Sequence, residues 1–122
     1  MAQAMTAQEI ETKMVAIIEM LPGFYQQMDG KRLVWQQADL IAEQEETKAY
    51  LIHKARPAMT VETAKQMAYE ETHTYRMDAV SLEAEFRAAG HEVDVLEKEL
   101  DIYRSLFSME RSKLEKNVEM GP

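Results

Sequence analysis

"AAGHEVDVLEKEL", residues 88–100, decides the fold. It sets Gly90 beside His91-Glu92 inside a helix-favouring run, so it reads as a helix break, a zinc-site fragment or one stretch of a longer rod. The apolar spacing on either side separates the three. Thr72, Ala79, Phe86, Val93, Leu100, Phe107 and Leu114 recur at intervals of seven. Ala68, Tyr75, Leu82, Ala89, Leu96, Tyr103 and Glu110 interleave with them at the same period. Twelve of these fourteen positions are apolar or aromatic, which is the a and d pattern of a coiled-coil helix. The phase passes through Gly90 unshifted, with Gly90 at a flanking e position. Gly90 is therefore a tolerated helix residue, costing ~1 kcal/mol relative to alanine. His91-Glu92 opens an H-E-x-x-H pattern, but Val95 stands at its fifth position and removes the second ligand. His91 is a surface histidine.

Upstream, the punctuation predicts two more helices. Thr6 and Glu9 have capping-box spacing, and Ile10, Met14, Ile17, Ile18 and Leu21 follow at helical intervals. Pro22-Gly23 predicts a stop, giving a first helix over about 7–21. Asp29-Gly30 predicts a turn. A second helix then runs over about 31–55, its apolar side carrying Leu33, Val34, Ala38, Leu40, Ile41, Leu51 and Ile52. "ARPAMT" turns the chain, Thr60 caps, and the third helix continues over about 60–118, roughly 85 Å at ~1.5 Å per residue.

Composition agrees. Four glycines and three prolines in 122 residues are too few for an all-β fold, whereas Ala, Glu, Met, Leu and Gln lose little side-chain freedom in a helix. The expected fold is all-α: one domain, a helical hairpin with one very long heptad helix, assembling as a bundle or antiparallel coiled coil. A net charge of −8, with basic residues scattered among acids, argues against direct nucleic-acid binding. There is no cysteine, which fits a reducing compartment. The chain shows neither a secretory signal nor a membrane-length apolar run, so the expected setting is cytoplasmic.

The heptad helix is apolar over more than its seam. Ala88, Val95, Ile102 and Met109 fall at c and Leu106 at g. A two-helix seam needs only a and d, so this wider stripe predicts a second neighbour. The first helix or a second copy of the chain must cover it, and both are expected to contribute. Ala88, Val95, Leu96, Leu100, Ile102, Tyr103, Leu106 and Met109 form the predicted homodimer interface. Most of the ten methionines read as core filler.

One constellation could carry chemistry. Glu70 and His73 have the Glu-x-x-His spacing by which one helical face presents two metal ligands. If the second helix folds back with residue 55 near 61 and 33 near 83, residue 70 lies opposite Glu46, itself three from Glu43. Such carboxylates suit Mg²⁺ or Mn²⁺. The arrangement resembles the all-α nucleotide pyrophosphohydrolases of the MazG type, over about thirty residues. That resemblance implies metal-dependent nucleotide hydrolysis, with Glu43, Glu46 and Glu70 matching the family's acidic pairs and His73 replacing an aspartate. In the heptad phase, however, Glu70 is at f and His73 at b, away from the seam.

Short, acidic, cysteine-free chains with a small helical head and one long heptad helix are also similar to accessory proteins of bacteriophages and prophages. That likeness implies action through a protein partner and assigns no site residues. A third alternative is an acidic DNA mimic, since Glu71, Asp78, Glu85, Glu92 and Glu99 recur at g; flank charge of a coiled coil explains the same spacing. The three histidines have no neighbouring nucleophile pattern and the glycines form no phosphate loop. The leading expectation is a non-enzymatic interaction or scaffold protein without catalytic residues or cofactor.

Overall fold

A computed structural model of the chain describes residues 5–119, with side chains through residue 116. It is all-α: α1 spans Ala7–Lys54, α2 Val61–Glu71 and α3 His73–Glu119. No strand occurs among the described residues. Thr6 starts α1, its Oγ1 accepting the Glu9 backbone N–H at 3.2 Å. Thr60 caps α2 as expected, accepting the Thr63 N–H at 3.1 Å.

The expected stop at Pro22-Gly23 does not occur, and the first and second predicted helices are one. The reason lies in the face that α1 buries. Ile10, Met14, Ile17, Leu21, Phe24, Met28, Trp35, Ala38, Ala42 and Ala49 follow one heptad phase and are all buried or half-buried. That phase crosses Pro22 without a shift. Pro22 lacks the N–H that would bond the Ile18 carbonyl, but both residues are exposed, so water can take that acceptor. The helix continues because the apolar stripe outweighs one missing hydrogen bond.

Gly23 and Gly30 also lie inside α1, and a Cβ at either would meet nothing within 4 Å. Alanine there adds no clash and narrows the unfolded ensemble. Gly23→Ala and Gly30→Ala should each stabilise the protein by about 1 kcal/mol. The double variant should melt roughly 8 °C higher. A lowered melting temperature in either single variant would show that α1 is not regular helix at that residue.

The connection between α1 and α2 is compact. Arg56 and Met59 close a turn through the Met59 N–H to the Arg56 carbonyl at 3.3 Å. Pro57 fills its first corner and Ala58 its second, with φ 63°. A positive φ at the second corner is the geometry of a type II turn, which favours glycine, so Ala58 holds a strained conformation.

The third predicted helix is interrupted once, at Thr72, rather than running unbroken. Thr72 occupies an a position and is buried. Its hydroxyl donates to the Ala68 carbonyl at 2.7 Å and accepts from Arg76 Nη1 at 2.9 Å. A threonine side chain that bonds the i−4 carbonyl competes with the helix ladder, and Thr72 leaves helical geometry with ψ 15°. Gly90, by contrast, lies within unbroken α3.

The chain divides into two compact units, Gln27–Ala89 and Met1–Gln26 with Gly90–Pro122. In the second of these, Ile17, Leu21 and Leu100 form the buried cluster, with Met14, Leu96 and Tyr103 packed against it. In the unit Gln27–Ala89 the buried apolar residues are alanines: Ala42, Ala64, Ala68, Ala79 and Ala89. Trp35 stacks on Phe86 there, with ring centroids 5.5 Å apart. Side-chain size at the contact sets helix separation, and alanine brings the helices close. The expected apolar side of the second helix was the wrong one. Leu33, Val34, Leu40, Ile41, Leu51 and Ile52 are exposed, and only Ala38 of that set is half-buried.

Candidate functional site

Polar groups converge at the Thr72 interruption. The Arg76 guanidinium donates to Thr72 Oγ1 and to the Tyr69 carbonyl. It lies 3.5 Å from the centroid of the Tyr69 ring, within cation–π range. Its Nη1 is also 4.0 Å from Glu46 Oε2. Beside it His53 is 3% exposed, and its Nε2 lies 2.7 Å from Glu71 Oε1. A carboxylate only accepts, so the Nε2–H of His53 donates to Glu71. Nδ1 is buried without a hydrogen-bond partner. The His53–Glu71 pair ties α1 to α2.

The four residues of the alternative, metal-dependent reading, Glu43, Glu46, Glu70 and His73, do not converge on one point. Trp35 stacks on Phe86 and Glu46 reaches Arg76, a register five to six residues away from the one that set 33 beside 83 and Glu46 beside Glu70. The turn at Arg56–Met59 and the cap at Thr60 take up the difference. Glu46 therefore faces a cation. Glu70 accepts from Gln66 of its own helix at 3.3 Å, and His73 is exposed. Glu43 and Glu46 share an open groove with Thr47, Tyr50, Lys65 and Ala68. Among the described residues no three His, Asp or Glu side chains converge on one point.

The predicted dimer interface divides in two. Leu100 is 5% exposed, and Leu96 and Tyr103 pack with it against Ile17 and Leu21 of the same chain. Around Leu100 the a and d seam is thus filled by the N-terminal part of α1, with Leu96 and Tyr103 half-buried, whereas Leu114 farther along the seam is 56% exposed. The stripe beside it is open: Val95 is 41% exposed, Ile102 59%, Leu106 37% and Met109 57%. Ala88, in the other unit, is also exposed. The N-terminal part of α1 covers the seam and leaves the stripe wet.

In the same unit as the stripe, Tyr25 Oη donates to Glu97 Oε1. That hydrogen bond to a carboxylate holds the phenol above its usual range, with slight desolvation and the charges of Glu97 and Asp94 adding to it. A raised folded-state value means that the contact stabilises the protein below the ordinary phenol pKa of ~10. It is lost as pH rises through the folded value. Tyrosinate absorbance should therefore show a late component above pH ~10 that Tyr25→Phe removes. Loss of amplitude from the ordinary phenol range in that variant, with the late component kept, would disprove the contact.

No family model, curated protein or solved structure matches the chain.

Proposed function

We propose that this is a non-enzymatic helical interaction protein that self-associates through the open stripe of α3 and acts on a protein partner. One observation carries the proposal: Val95, Ile102, Leu106 and Met109 are exposed at c and g beside a seam that the chain already fills with its own residues. Contiguous apolar surface of this kind marks interaction sites.

The setting we propose is cytoplasmic, consistent with the absence of cysteine. The role we propose is that of a phage-type accessory factor, following the architecture described above. No helix among the described residues is long and apolar enough to cross a membrane. Sedimentation equilibrium from well below to well above micromolar concentration tests the association. We expect a monomer–dimer equilibrium with a midpoint in the micromolar range. A clean monomer throughout would remove the self-associating half of the proposal.

A further inference from the structure

The open stripe has a polarity. Read along α3 at c and g it runs Glu92, Val95, Glu99, Ile102, Leu106, Met109, Lys113, Lys116. All eight are exposed and all lie in one compact unit. The acids fall before the apolar centre and the lysines after it. Lys113 meets Glu110 of its own helix at 3.2 Å, an exposed pair of the kind that rearranges at little cost. The other charged members of the stripe make no ion pair among the described residues.

We propose that the second copy docks antiparallel on this stripe, with the two-fold axis passing between Ile102 and Leu106. The inference rests on the self-association proposed above and adds its direction. Parallel packing would set Glu92 and Glu99 against themselves and Lys113 and Lys116 against themselves, and like charges facing across helices disfavour pairing. Reversing one helix brings acids of one copy toward lysines of the other. Antiparallel heptad seams also alternate their two position types across each layer. The register that puts Ile102 against the partner's Leu106 places that apolar layer twice at the centre. It sets Glu92 against the partner's Lys116 at each end. Glu99 then faces the partner's Met109, and Val95 faces the aliphatic stem of the partner's Lys113, which can carry its ammonium to water. A shift by one heptad either way puts Ile102 against Glu99 or against Lys113, so the apolar centre selects this register.

The chain is free of cysteine, so a single introduced thiol is unique. Lys98, Ser105 and Ser112 are exposed at f, beside the stripe. In the proposed register Ser105 lies within ~3 Å along the axis of its own counterpart, whereas Lys98 lies ~18 Å and Ser112 ~24 Å from theirs. A thiol cross-linker spanning the ~8–10 Å between packed helices is then applied above the dimer midpoint found by sedimentation. Ser105→Cys should cross-link to itself. Lys98→Cys and Ser112→Cys should not cross-link alone but should do so when mixed. Self-linkage of all three variants would establish a parallel pair and overturn the orientation while leaving the dimer standing. A dimer that none of the variants traps would place the contact on another face and overturn the inference as well. A monomer by sedimentation would defeat the underlying proposal, which separates the two failures.

Discussion

Leu100→Ala should cost about 3 kcal/mol of folding stability, within the range for leucine-to-alanine changes in cores. Leu100 is 5% exposed and shares its cluster with Ile17 and Leu21. Among the described residues, Met14, Leu96 and Tyr103 are the partly buried apolar side chains packed around that cluster, so few such neighbours are placed to refill the cavity. Marginal stability of ~5–15 kcal/mol for a domain makes this a large fraction of the whole. Urea unfolding at a concentration too low for association should show the midpoint fall with the slope preserved. Met109→Ala, on the exposed stripe, should stay within ~0.5 kcal/mol under the same conditions. If Leu100→Ala matched it, the cluster between α1 and α3 would not be the core of this unit.

How much of this was legible in the sequence differs from helix to helix. α3 was readable because large residues keep one heptad phase, and that phase carried the reading past Gly90. The same argument applies to Pro22-Gly23: Ile10, Met14, Ile17, Leu21, Phe24 and Met28 hold phase across it. Pro22-Gly23 reads locally as a stop, yet a proline at a solvent-facing position costs one hydrogen bond and a local clash with the i−4 carbonyl, which the continuous apolar stripe outweighs. Beyond Met28 the signal weakens for a different reason. The buried stripe of α1 continues as Trp35, Ala38, Ala42 and Ala49 while Leu33, Val34, Leu40 and Ile41 stay outside. Ranking residues by hydrophobicity selects the wrong face when close helix approach requires the small ones inside.

The polar cluster was hidden by register. Glu46, Thr72 and Arg76 were all visible in the sequence. What brings them together is the length of chain consumed between Lys54 and Val61, which depends on the Arg56–Met59 turn and on Ala58 accepting a positive φ. An alanine carries no sign that it will do so. A six-residue difference in the helical pairing puts the Arg76 guanidinium opposite Glu46 in place of the Glu70 carboxylate, and with that the alternative metal reading gives way to an ion pair. The open stripe was legible because it follows from α3 alone. Its boundary with the core was not, because that depends on which face α1 covers.

Ile102→Glu should dissociate the protein while leaving it folded. Ile102 is 59% exposed within the single chain, so a glutamate there is well hydrated in the monomer and should change stability by no more than ~0.5 kcal/mol. Association reverses that situation. The side chain would be covered twice, once in each copy, and a carboxylate removed from water without a partner is strongly disfavoured. Both copies also lose an isoleucine, each of which gains part of the ~1.5–3 kcal/mol that full burial of such a side chain supplies. We expect the dimer constant to weaken at least 100-fold, equivalent to ~3 kcal/mol, with helical circular dichroism retained. Ile102→Leu, which keeps volume and polarity, should dimerise like the wild type. The contrast with Leu100, two residues away on the same helix, is the decisive comparison. Alanine at 100 should damage folding, whereas glutamate at 102 should damage only assembly. An Ile102→Glu protein that still sediments as a dimer would move the interface off this stripe to another exposed apolar surface, such as the Leu33, Val34, Leu40 and Ile41 face of α1.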